Sequence, residues 1–163
     1  MGPVVTSATD VPSLYEWMGA EARLSALFTE FYRRVALDPV VGPVFAAMDK
    51  HHAEKVAAFV AQVFGGPARY TEGGGSHAAM IARHMGRMLT AEQRSRWVAL
   101  LVETADHAGV PEDPEFRAAF VGYIEWGSRL AMMNSASGVP TPEADLPMPK
   151  WNWGPPGGPW RGQ

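Results

Sequence analysis

Apolar residues recur at helical spacing through most of this chain, and no segment alternates in the two-residue rhythm of a half-buried strand. Four stripes carry the pattern: Leu24-Leu27-Phe28-Phe31-Val35, Val56-Phe59-Val60-Val63, Trp97-Leu100-Leu101-Ala108 and Phe116-Phe120-Tyr123-Ile124-Gly127-Leu130. Capping chemistry stands where helices would begin. Ser13 with Glu16 and Thr90 with Gln93 have capping-box spacing. Asp49 can cap the helix after it, and Asp113 precedes a proline suited to a first turn. Breaks fall at Asp38-Pro39, Gly65-Gly66-Pro67, Gly73-Gly74-Gly75 and Gly109-Val110-Pro111. The expectation is an all-α domain of four long helices and one or two short ones. Between about 65 and 79 the chain is glycine-rich and aperiodic, and so long a loop in a compact domain usually frames a ligand or serves a function.

The 163 residues suit one domain. We divide them into a leader over 1–12, a helical domain over 13–134 and a tail over 135–163. The tail holds seven of the 14 prolines and three of the six tryptophans, Trp151, Trp153 and Trp160. Such a segment makes neither a helix nor a central strand, and indoles are costly to leave in water. It is therefore expected to lie extended on the domain or on a partner. A net charge of -3 without a clustered basic face argues against nucleic acid. The absence of cysteine excludes disulfides, iron–sulfur clusters and thiolate zinc sites. No apolar run is long enough to span a bilayer, and the start lacks the pattern of a secretory signal, so a cytoplasmic protein is expected. Gly2 and Thr6 fit a loose lipidation pattern that Pro3 distorts.

Chemistry near neutral pH falls to five histidines. His84 has Met80, Ile81, Met85 and Met88 at helical spacings. Two readings follow: a core histidine bonded to a carbonyl, or an axial ligand to an iron porphyrin, walled by adaptable methionines. His52 shares a helical face with Val56, Phe59 and Val60, whereas His51 shares one with Lys55 and Ala58 and is expected to face solvent. Tyr32 and Trp97 lie close to inner stripes. Each is core packing or, if aimed into a cavity, a hydrogen-bond donor to an anion-like ligand. Dinucleotide, phosphate-loop, serine-hydrolase and zinc-protease motifs are absent.

Three segments in order resemble the group II branch of the truncated haemoglobins. FYRRVALDPVVGPVF is similar to its second helix and the following turn. HHAEKVAAFVAQVFGGPARY resembles its distal helix closed by G-G-P-x-x-Y. HAAMIARHMGRMLTAEQRSRW resembles its proximal stretch, with tryptophan 13 residues after histidine. The resemblance spans roughly residues 13–133 and implies a two-over-two helical sandwich around haem b. It makes His84 the proximal iron ligand, Phe45 the aromatic packed on haem, and Val56 the aliphatic residue above the iron. Arg83 would pair with a propionate, with His77 and Met80 at the rim. Tyr32, Trp97 and His52 would donate hydrogen bonds to bound ligand, His52 standing where the branch often has a small residue. Implied partners are dioxygen and other diatomic gases, a reductase, and a second copy of the chain. The implied function is diatomic-gas binding in redox or detoxification chemistry, by nitric oxide oxidation or peroxide reduction, rather than bulk transport. A non-haem helical interaction domain whose tail docks a partner is the other expectation.

Overall fold

The computed structural model describes residues 11–160. Gly2, Thr6 and most of the expected leader lie outside the described residues. Among the described residues the chain is helical with no strand. It contains α1 (Leu14–Met18), α2 (Ala20–Leu37), a 3₁₀ turn (Gly42–Phe45), α3 (His52–Val63), α4 (Arg69–Glu72), α5 (His77–Ala82), α6 (Ala91–His107) and α7 (Pro114–Ser135).

The four stripes become the four long helices. Short helices are more numerous than expected, and the reasons are local. Gly19, at a φ of +108°, ends α1 in the left-handed region and starts α2 afresh, so one stretch of helical pattern yields two helices. α4 is four residues long, too short for any periodicity to show. Start signals fared better. Thr90 and Gln93 form a complete capping box, and Asp113 accepts from the Phe116 amide with Pro114 in the first turn. Ser13 makes one half of its box, accepting from the Glu16 amide. Asp49 caps indirectly, through the amide of His51 at the start of α3.

Packing follows the stripes. α2 lies along α3, α6 lies along α7, and α2 also meets α6, which gives two helical layers, one on the other. Phe28, Phe31, Phe64, Phe116 and Phe120 are fully buried between them. Burying each such side chain contributes about 1.5–3 kcal/mol, and together they drive the association of the layers.

The glycine-rich stretch is a close-fitting connection. A Cβ at Gly66 would stand 2.7 Å from the Tyr15 ring, and one at Gly75 would stand 2.6 Å from the Tyr70 ring. Only glycine lets the backbone pass flush against both aromatics. Tyr70 packs edge-on against Phe59 of α3 at 5.1 Å, so the stretch sets where α5 begins. The tail then runs back over the helices. The Trp151 amide donates to the Val63 carbonyl, and its indole donates to the Ala119 carbonyl at 2.9 Å. Trp153 is buried, donates to the Pro12 carbonyl at 2.7 Å and meets Trp17 and Phe116 edge-on. These two tryptophans thus make their contacts with the helical domain. Trp160 is exposed.

Candidate functional site

Between the two layers lies a cavity of about 490 Å³, with mostly apolar walls. Tyr32, Phe45, His52, Val56, His77, Met80, Arg83, His84 and Trp97 all line it. These residues come from five different parts of the chain. The fold thus brings together all nine residues that the resemblance places around haem, whereas His51, Met85 and Met88 stay off the cavity.

His84 does not sit inside a helix. α5 stops at Ala82, and the chain continues through tight bonds, from the His84 amide to the Ile81 carbonyl and from the Met85 amide to the Ala82 carbonyl. Gly86 and Met88 then take positive φ, reversing the direction. Met88 therefore points outward and is exposed, contrary to the helical face expected for it. Leu89, held by a bond from its amide to the Ser135 hydroxyl, reaches the cavity instead. The Nδ1 of His84 lies 2.9 Å from the Met80 carbonyl. That contact makes Nδ1 the protonated nitrogen of the neutral ring and leaves the lone pair on Nε2. Burial pushes this imidazole below its usual range; the Met80 carbonyl acts the other way, and Arg87 and Arg83 add to the lowering. The lowering favours the neutral ring, the form in which an imidazole binds a metal.

A second group of polar rings comes from α2, α3 and α6. Tyr32 is edge-on to His52 at 4.6 Å and to Phe45 at 5.5 Å, and Phe45 meets His52 at 5.7 Å. Trp97 packs edge-on against Phe31, which in turn touches Tyr32. Burial pushes the Tyr32 phenol well above its usual value, with the Trp97 indole beside the hydroxyl acting in the opposite sense. Tyr32 thus keeps its proton and is a donor at any physiological pH. The Nε2 of His52 is buried without a hydrogen-bond partner. Leaving such an atom unpaired costs about 1–3 kcal/mol, an unusual expense unless a ligand fills the space. Burial lowers the basicity of His52, and Arg83, Lys55, Arg87 and the His84 ring lower it further. His51 is exposed, as expected, and pairs with Glu54.

Asp38 holds this side together. Its Oδ1 accepts from the amides of Val40 and Val41, and its Oδ2 accepts from Arg96 Nε at 2.7 Å. The bond pins the turn that carries Phe45 to the residue next to Trp97. Three cations line the cavity besides Arg83: Lys55, Arg87 and Arg94. Arg94 is engaged with Glu125, whereas Arg83 has no acidic partner among the described residues. Sequence reasoning missed Arg87, Tyr123 and Trp126 as lining residues; the helical stripe of α7 was the one signal for Tyr123, and it read as core.

The family model described as bacterial-like globin matches residues 13–125. A group 2 truncated haemoglobin of Bacillus subtilis is 36% identical over 115 residues, which is 71% of this chain and 84% of that protein. The chain belongs to the group II truncated haemoglobins. Solved structures agree. The group II truncated haemoglobin from Bacillus anthracis superposes with a TM-score of 0.67 at 26% identity, over 78% of this chain and 96% of that one. A truncated oxygen-avid haemoglobin from Bacillus subtilis does so with a TM-score of 0.64 at 34% identity, over 72% and 97%. Haem is the cofactor of this globin, and the protein binds gases through it. The expectation of a non-haem interaction domain is thereby set aside. The cavity fits the group on its own chemistry: apolar walls for a flat macrocycle, an imidazole with a free lone pair, Arg83 for a carboxylate, and an orphaned ring nitrogen at His52. Among the described residues no helix is long and apolar enough to cross a membrane.

Proposed function

We propose that this globin binds dioxygen and similar diatomic gases at a haem iron ligated by His84, and that it serves redox or detoxification chemistry rather than bulk transport. The observation that carries the reading is the clustering of Tyr32, Trp97 and His52 on one cavity with His84. When bound, haem supplies an iron that shares electrons with a diatomic ligand, as needed to oxidise nitric oxide or reduce peroxide. The protein side of the work is orientation and charge. The Met80 carbonyl fixes the His84 tautomer and raises the donor strength of Nε2. Arg83 anchors a propionate, while Met80 and His77 close the rim. Phe45 and Val56 hold the plane of the macrocycle and keep water away from it. Tyr32, Trp97 and His52 donate to a ligand that has gained negative charge, and each charge-assisted bond is worth about 1.5–3 kcal/mol. Several donors together favour slow release, which suits reaction better than delivery. The oxygen avidity stated of the Bacillus subtilis structure supports the same reading.

The reading includes a cytoplasmic setting and a reductase that returns electrons. Pairing of two copies is an expectation that sedimentation checks. The test of ligation is His84→Ala. Haem content after desalting, read from the absorption near the violet edge, is expected to fall greatly and to recover in part with added imidazole. Full haem retention by the variant would overturn the assignment. Turnover of nitric oxide with a reductase, against a single stoichiometric reaction, separates enzyme from carrier.

A further inference from the structure

We propose that Trp126 is a surface oxidation site, at which phenolic one-electron donors too large for the cavity are oxidised at the expense of hydrogen peroxide. The proposal rests on the redox reading above. Trp126 lines the cavity and is also 38% exposed. An indole that lines a cofactor pocket and is also partly exposed offers a short route for an electron between pocket and surface. Its ring lies 6.2 Å from Tyr123, 5.8 Å from Trp151 and 6.4 Å from His77, so it belongs to a contiguous aromatic cluster.

The surroundings decide where an oxidised ring would come to rest. A phenol gives up an electron readily only if its proton can leave too. Tyr32 and Tyr123 are buried, and burial pushes both phenols upward. Both therefore hold their protons and resist oxidation. The Trp126 indole is partly exposed, which gives its proton a path to water. The electron count closes. One hydrogen peroxide breaks its O–O bond and takes up two electrons and two protons to give two waters. For each electron drawn inward, Trp126 loses one electron and one proton. A phenol at the surface then returns one electron and its O–H proton, restoring the indole and leaving as a phenoxyl radical. Two phenols are consumed per peroxide.

The haem-loaded full chain is tested with 4-hydroxyphenylacetate, free and tethered to dextran, with peroxide and the spin trap 2-methyl-2-nitrosopropane present in a parallel sample. In the native protein the trap is expected on Trp126, within the tryptic peptide spanning 118–129. Trp126→Phe is expected to lower the ratio of tethered to free donor oxidation roughly tenfold. Trp126→Tyr, which keeps an oxidisable ring at the surface, is expected to restore most of it, which a mere packing defect would not permit. An unchanged ratio in Trp126→Phe, failure of Trp126→Tyr to recover it, or adducts confined to other residues while peroxide is consumed would overturn this proposal alone. Absence of any peroxide consumption by the native protein would remove the peroxide reading beneath it, and the proposal with it.

Discussion

Arg96 and Trp97 are neighbours in α6 that do different work. Arg96 reaches Asp38, and Trp97 reaches the cavity. If the Trp97 indole donates to bound ligand, Trp97→Phe removes one charge-assisted bond and leaves the ring packing against Phe31. Dioxygen dissociation measured by stopped flow is then expected to speed up about tenfold, equivalent to about 1.4 kcal/mol. An unchanged rate would mean that the indole serves Tyr32 only. Asp38 makes a separate prediction about pH. Burial pushes its carboxyl up, but the Val41 amide, Arg96 and the Val40 amide outweigh burial and hold it below its ordinary value of 3.8. A carboxyl lowered in the folded state contributes stability that is present above its unfolded value and lost as pH falls through the folded one. Native protein is therefore expected to exceed Asp38→Asn in urea midpoint at pH 6, with the gap shrinking as pH falls below 3.8. A gap independent of pH would count against the carboxylate as its source.

At the scale of elements, placement of the site depends on where helices start and stop. The capping box of Thr90 and Gln93 fixes the first turn of α6, two turns ahead of Trp97. Thr90→Ala is expected to cost about 1 kcal/mol, seen as a fall in melting temperature of roughly 3 °C for a chain of this size. A loss far beyond that would show that Thr90 also supports the turn carrying His84. The early end of α5 matters as much. A continued helix would turn the ring of His84 onto a face with Met88, whereas the reversal at Gly86 frees it to line the cavity. Ser135 ties down this reversal, accepting from the Met88 amide with its carbonyl and from the Leu89 amide with its hydroxyl. The end of α7 thus positions the turn after α5, although the two segments lie far apart in sequence.

Over the whole molecule, the C-terminal segment closes the structure on itself. The family match ends at residue 125, yet the tail donates hydrogen bonds to Val63, Ala119 and Pro12. We propose that the segment beyond about residue 135 is an integral strap of this domain. Trp153→Ala removes a buried indole and its bond to Pro12, and is expected to destabilise the fold by about 3–5 kcal/mol. Chemical denaturation measures this directly. A cost under about 1 kcal/mol, the range of surface substitutions, would show that the strap is incidental. The tail also lies beside the site, since Trp151 packs at 5.8 Å against Trp126, which lines the cavity.

Helical periodicity, capping residues and glycine–proline breaks depend on neighbours within about four residues, so the sequence alone settled the helical class, the four long helices and most of their starts. The order of histidine, tryptophan and G-G-P pointed to the globin family for a related reason: spacing along a chain survives in the sequence even when the contacts do not. Tertiary structure decided what sums over distant segments determine. Only folding showed that His52 Nε2 is left without a partner, that Met88 faces solvent, and that Trp126 lines the cavity. Each outcome depends on which side chains from other helices arrive at the same place, and no local pattern records that.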